Sequence, residues 1–223
     1  MIRLHFVVEG QSEETFVKEI LAPELGDRST IVDVHRITTG RKKGKVYRGG
    51  FVKYEHLRND LDLWMKQERQ SSDARFTTMV DLYGLPSDFP GKNNCEKISD
   101  PFERVERLES EFGKDLDNSR LIPHIQLHEF ESLLFSDPAA FSSAFPTGDD
   151  GIQELSRIRE TFASPEHIND GPNTAPSKLI CKLFPGYVKT SYGLTIAKEI
   201  GIKKMRAKCK HFDNWIKTLL LLE

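Results

Sequence analysis

The chain has 223 residues, 30% of them charged and 38% hydrophobic, and a formal net charge of −2. That length carries one large domain or one and a half, with a sizeable core, and the near-neutral balance excludes a global electrostatic pull toward nucleic acid, though not a segregated one. Three cysteines, Cys95, Cys181 and Cys209, are too few and too far apart for a disulfide framework or a paired metal-ligand spacing, which points to a reducing cytoplasm.

Met1–Glu14 (MIRLHFVVEGQSEE) predicts a short strand that runs into a turn. Leu4, Phe6 and Val8 alternate with Arg3, His5 and Val7, and the far end is apolar on both faces, as in a central strand. Gly10 lets the chain turn sharply. Ser12 reads as a helix N-cap with Glu13 and Glu14 in the first turn. Phe16, Val17, Ile20 and Leu21 keep helical spacing, and Pro23 ends the run. The strand therefore delivers Glu9 to the carboxyl edge of a sheet, where open α/β sheets bind ligands. A lone Glu there is more often a solvated loop residue; its company gives it weight. The N-terminal apolar run is too short for a secretory signal, and no stretch approaches the roughly 18 apolar residues of a membrane span.

Thr30–Thr38 alternates as a second strand. Thr39–Gly50 (TGRKKGKVYRGG) is the sharpest shift in composition, with Arg41, Lys42, Lys43 and Lys45 set among glycines. It reads equally as a solvated loop or as an arm contacting nucleic-acid phosphates; it lacks the Lys-Ser/Thr ending of a P-loop. Phe51–Gln70 is an amphipathic helix, with Trp64 assigned to the core. The strand Arg75–Val80 ends in Asp81-Leu82-Tyr83-Gly84. Ser87–Asp100 is a loop, and Asp100-Pro101 caps and opens a helix to about Phe112. Leu121–Leu127 is another strand-like run, ending in His128-Glu129-Phe130-Glu131. Three strand-like runs that each end in carboxylates suit a hard divalent cation, which takes oxygen ligands. The strand–helix alternation predicts an α/β fold with a doubly wound, mainly parallel sheet and helices on both faces.

From His128 onward the pattern turns helical: a short Phe130–Phe135 helix, one opened by Asp137-Pro138, then Ile152–Phe162, Lys178–Phe184, Tyr192–Ile200 and Phe212–Leu222. The expected division is an α/β core over 1–135 and a helical C-terminal subdomain over 136–223, packed on the core as an added layer. This half is rich in lysine. Lys182 and Lys189, with Tyr187 between them, are the preferred phosphate-side residues; scattered solvated lysines are the plain alternative. His211 and Cys209 have the wrong spacing and too few companions for zinc.

The Glu after the first strand and the Asp ending the strand after the second helix resemble the Toprim pattern. Toprim domains occur in topoisomerases, bacterial primases, recombination proteins and overcoming-lysogenization-defect (OLD) family nucleases. VEGQSE at Val8–Glu13 looks like the first Toprim motif and DLYG at Asp81–Gly84 like the second. Together with HEFESLLFSDP, PSKLI and CKHFDNWI, these motifs are similar to an uncharacterised bacterial Toprim-like family, domain-of-unknown-function family 4276, over nearly the whole chain. The resemblance implies Mg²⁺-dependent phosphodiester chemistry and a separate ATPase partner in defence against phage. One departure stands out: the second motif usually carries two aspartates, and here Tyr83 replaces the second. A phenol with a pKa of about 10 is a poor Mg²⁺ ligand, so Glu129 or Glu131 would have to complete the set.

The expected function is thus a nuclease on DNA or RNA using Mg²⁺ or Mn²⁺. Its metal ligands would come from Glu9, Asp81, Glu129 and Glu131, with Glu129 preferred over Glu131. Glu9, Asp81, Glu129 and Glu13 are the catalytic candidates, Glu13 as base or outer ligand and otherwise a plain capping carboxylate. His128 is an acid, a base, a substrate contact or a structural histidine. The rival is a non-catalytic Toprim-fold module that binds nucleic acid or a partner ATPase. A third reading is a phosphate-ester enzyme on a small substrate in a closed pocket. No membrane partner is expected, and a homo-oligomer stays open.

Overall fold

The computed structural model describes residues 1–26, 30–42, 45–168 and 175–222, without the side chains of residues 41, 42, 45 and 46. Its centre is β1 (Ile2–Val8), which pairs in parallel with β2 (Thr30–Arg36) on one side. The other neighbour of β1, also parallel, is β5 (Ala74–Asp81). Leu4, Phe6, Val7 and Val8 are fully buried, so this strand is covered on both faces. On β2, Ile31 is exposed, as an edge strand permits. Between β2 and β5 comes a hairpin of β3 (Thr38–Lys42) and β4 (Lys45–Arg48). Its base is tied to the end of β1, with Ile37 N–H donating to the Val8 carbonyl at 3.0 Å. Here the structure corrects the loop expected over 39–50. Backbone pairing makes this hairpin without the apolar alternation that marks a strand in sequence.

The run over 121–127 is two short pieces, β6 (Leu121–Ile122) and β7 (Ile125–Gln126), both parallel to β5. In order of appearance the sheet strands run second, first, third, fourth. That is a doubly wound order whose switch point lies between β1 and β5, where such sheets open a crevice at their carboxyl ends.

One face carries α1 (Gln11–Phe16), a π-helical turn over Val17–Leu21 and α2 (Ala22–Gly26). The other carries α3 (Tyr54–Gln67), α4 (Lys92–Cys95) and α5 (Pro101–Leu116). The Asp100 carboxylate accepts the N–H groups of Phe102 and Glu103 at 2.8 and 2.9 Å, capping α5 as its Asp-Pro start implies. Ser12 does not cap α1: the helix begins at Gln11 with extended Gly10 at the cap. A methyl on Gly10 would sit 2.9 Å from Glu13 Oε2, so the missing side chain is what lets Glu13 fold back there. The loop expected over 87–100 contains the single turn of α4. Trp64 is half-buried, edge-on to His5.

The C-terminal half shares one apolar cluster with β1 and α1. It begins with 3₁₀ turns over Phe130–Ser136 and Pro138–Ser143. It continues through α6 (Asp149–Glu160), α7 (Pro176–Leu183), a π-helical turn over Lys189–Gly193, α8 (Leu194–Lys208) and α9 (Lys210–Leu220). Gly201, at φ 72°, breaks α8. Among the described residues no helix is long and apolar enough to cross a membrane.

One polar contact ties this half to the sheet, and a second ties two of its own segments together. The Trp215 indole N–H donates to Thr77 Oγ1 at 2.9 Å. The fully buried Glu166 carboxylate accepts the N–H groups of His211 and Phe212, at 3.0 and 2.9 Å, at the start of α9. Glu166→Ala leaves two helix-start donors unpaired and opens a void. Its expected cost is about 2–4 kcal/mol, read by urea unfolding; a loss below about 0.5 kcal/mol would mean that water replaces the carboxylate.

Candidate active site

At the switch point the ends of β1 and β5 bring their carboxylates together. The Asp81 N–H donates to Glu9 Oε2 at 3.1 Å, so the two strand ends are cross-linked through the acid of one and the backbone of the other. Gly84 keeps room for that acid: a methyl there would lie 3.3 Å from Glu9 Oε1. In turn, Asp81 Oδ1 accepts the Phe130 N–H at 3.2 Å, which draws the HEFESLLF segment over the same edge.

A lysine from the far half of the chain completes the arrangement. The Lys189 ammonium lies 3.0 Å from Glu13 Oε1, 3.1 Å from Glu131 Oε2 and 3.6 Å from Asp81 Oδ2. It also stands 5.7 Å from the centre of the Phe130 ring. Three of these acids are nearly inaccessible: Glu13, Asp81 and Glu131 are 3%, 4% and 1% exposed. Three carboxylates therefore contact one ammonium, and a fourth, Glu9, lies beside them on the Asp81 N–H.

Burial and this imbalance together govern their protonation. Burial pushes the Asp81 carboxyl well above its ordinary range, with Lys189 opposing and Glu13, Glu9 and Glu131 adding to the push. Burial likewise raises Glu9, against the Asp81 N–H, and lifts Glu131 to about 7, against Lys189. For Lys189, burial opposes the charge, but Asp81, Glu13 and Glu131 outweigh it and hold the ammonium protonated.

Among the expected metal ligands, Glu9, Asp81 and Glu131 share this edge. Glu129 lies beside this edge, its charge acting on Glu131 and Tyr83 while its Oε1 accepts the Ser177 N–H in the first turn of α7 at 2.8 Å; of the HEFE pair it is Glu131 that meets Lys189. Tyr83 is 61% exposed in the turn after Asp81, and partial burial of its phenol, then the charges of Glu129 and Asp81, raises it. It stays protonated and offers no anionic ligand.

Among the phosphate-side candidates, Lys189 is in the cluster and Tyr187 is beside it. The Tyr187 hydroxyl is buried without a hydrogen-bond partner among the described residues, against Gly193, where a methyl would meet it at 2.6 Å. Lys182 is exposed on α7. Lys43 lies outside the described residues, as do the side chains of Arg41, Lys42 and Lys45.

The structure gathers two groups that the sequence does not reveal. His211 has companions after all: Glu109, His124 and His211 bring ligand-type atoms within 4.8 Å of one another. His211 Nε2 lies 3.1 Å and His124 Nδ1 3.6 Å from Glu109 Oε1. The rings, however, are stacked. His124 lies on Trp215 at 3.9 Å and 4°, and against His211 at 4.9 Å and 20°. A metal must sit near the plane of each ring along its lone pair, which two stacked rings do not allow. We read this group as an ion pair: Glu109 raises His211 against the burial that opposes its charge, while burial and that neighbouring charge push His124 well down. The second group lines a cavity next to Asp81 and includes His128, Tyr83 and Arg104. Burial, then Arg104, pushes His128 down to about 4, so its ring is neutral at pH 7. No local spacing signals either group, since their members come from separate elements.

Comparison with known proteins adds the following. The family model described as Domain of unknown function (DUF4276) matches residues 8–220. No curated protein matches the chain. Among solved structures, the C-terminal region of the OLD protein of Xanthomonas campestris pv. campestris aligns over 98% of this chain and 98% of that one, at 15% identity and a TM-score of 0.37. That overlap is too loose to bear on function.

Proposed function

The chain belongs to the family described as Domain of unknown function (DUF4276), and from the chemistry of its site we propose that it is a Mg²⁺-dependent nuclease that hydrolyses phosphodiester bonds in DNA or RNA. The observation that carries this reading is the charge imbalance: four carboxylates, mostly buried, gather at the carboxyl edge of a parallel sheet, and three of them share one ammonium. Such a set is stable only if it holds protons or gains a further cation. Carboxylate oxygens are the donors that Mg²⁺ and Mn²⁺ prefer. Glu9 and Asp81 would hold the ion, with Glu131 in place of the aspartate that Tyr83 replaces. Once bound, the ion would offset charge on the phosphate oxygens and make a bound water more acidic. Glu13, in the first turn of α1, is the candidate proton acceptor. Lys189 can exchange its carboxylate partners for a phosphate oxygen, and the β3–β4 arm would follow the strand. The Toprim resemblance adds a separate ATPase and defence against phage as the setting.

One observation favours the rival, a binding module without catalysis: Lys189 already stands among the carboxylates as a counter-ion. Metal titration separates the two. In the nuclease reading Mg²⁺ or Mn²⁺ at 100 times its Kd stabilises the fold by about 2.7 kcal/mol, or about 5–11 °C in melting temperature for a chain of this size. A flat titration with both ions, together with no cleavage of single- or double-stranded substrates, rejects the nuclease in favour of the module.

A further inference from the structure

We propose that the cavity beside Asp81 holds one unstacked nucleobase, which makes the substrate a single-stranded or frayed strand, not an intact duplex; this rests on the nuclease reading above. The cavity measures about 280 Å³. Sites that enclose whole drug-sized ligands run roughly 300–1,000 Å³, so this one suits a single ring system. Its walls fit a heterocycle. Leu82, Leu85 and Leu108, all buried, supply apolar faces, and the exposed Tyr83 ring stands at the mouth. Arg104 and His128 supply polar groups. Arg104 Nε is buried and lacks a hydrogen-bond partner among the described residues, a donor that a base edge would satisfy. Glu96 adds an acceptor.

Position ties the cavity to the chemistry. Leu82 and Tyr83 follow Asp81 directly, and His128 precedes the turn that carries Glu131, so two walls of the cavity continue from the acidic edge. Neighbouring Cα atoms are about 3.8 Å apart, which leaves base and phosphate sites within one nucleotide's reach. His128 is held in the left-handed region at φ 63°, a conformation that residues with a Cβ seldom adopt and that clusters at ligand sites. A base paired inside a duplex cannot enter such a cavity; it must first leave the stack.

The test uses the full chain and a labelled single-stranded 12-residue oligonucleotide in which one abasic site is moved along position by position. Binding is read by fluorescence anisotropy, in EDTA and again in Ca²⁺. Aromatic stacking of one base predicts that a single position weakens binding roughly 5- to 100-fold. Tyr83→Ala, at an exposed position, and Arg104→Met, close in volume, should each flatten that step. Equal binding at every abasic position overturns the proposal, as does a blunt duplex bound as tightly as the strand. Free nucleoside monophosphates binding as tightly as the strand would also overturn it, in favour of a small-molecule site. The two readings fail separately. Metal-dependent cleavage without the abasic step removes the base pocket and leaves the nuclease. An abasic step without metal-induced stabilisation or cleavage removes the nuclease and leaves a strand-binding pocket.

Discussion

Glu9→Gln and Asp81→Asn should each lower phosphodiester cleavage by about a thousandfold or more and abolish stabilisation by Mg²⁺, while leaving the metal-free protein as stable as before or more so. The two effects have opposite signs because the carboxylates serve the ion and not the fold. Each amide keeps the acceptor that matters locally. Gln at position 9 can still take the Asp81 N–H, and Asn at position 81 can still take the Phe130 N–H. Each substitution also removes an ionisable carboxyl from a buried acidic group that outnumbers its one ammonium, and so relieves like-charge repulsion. A gain of about 1 kcal/mol would raise the melting temperature by about 2–4 °C. Glu129→Gln is the control, since that carboxylate is engaged with the Ser177 N–H; its effect on the metal response should be several times smaller. Calorimetry with and without Mg²⁺, beside a cleavage assay, reads all three variants. An unchanged metal response in Glu9→Gln would reject this edge as the ion's site.

How far the molecule is legible in its sequence depends on the range of the contacts. The strand–turn–helix at Met1–Glu14 is local, so β1, its apolar faces and the exit of Glu9 follow from periodicity and one glycine. Asp100-Pro101 likewise writes its own cap. The meeting of Glu9 with Asp81 is long-range, yet it follows from topology: parallel strands end at the same edge, and the doubly wound order puts their ends side by side at the switch point. What was hidden is decided by packing. Whether Glu129 or Glu131 meets Lys189 depends on a 3₁₀ turn and on α7 arriving to hold one Glu129 oxygen. Lys189 reaches Glu13 only because the helical half folds back across α1. The β3–β4 hairpin leaves no mark in the sequence because pairing, not an apolar face, defines it.

Lys189→Met should produce the second large effect, and its pH dependence identifies the cause. The ammonium is the partner of three nearly inaccessible carboxylates. Removing one member of such a group typically costs about 3–5 kcal/mol. The acids can recover part of that loss by taking up protons, so the cost should be full near pH 8 and much smaller near pH 5. The wild type already has this slope. Glu131 titrates at about 7 in the fold against an ordinary value of 4.5. The folded chain therefore holds a proton that the unfolded chain has released. The stability this contributes is complete below the ordinary value and is lost as pH rises through about 7, an effect of about 3 kcal/mol at most. Mg²⁺ must reverse the slope, because it binds the deprotonated acids and its affinity climbs with pH. In Lys189→Met the ion no longer competes with an ammonium, so metal affinity should rise while cleavage falls for want of a phosphate contact. Urea unfolding from pH 5 to 8, with and without Mg²⁺, measures both slopes. If Lys189→Met costs under 1 kcal/mol at pH 8, or weakens metal binding, the lysine is not the ion's competitor and the acids do not share a single site.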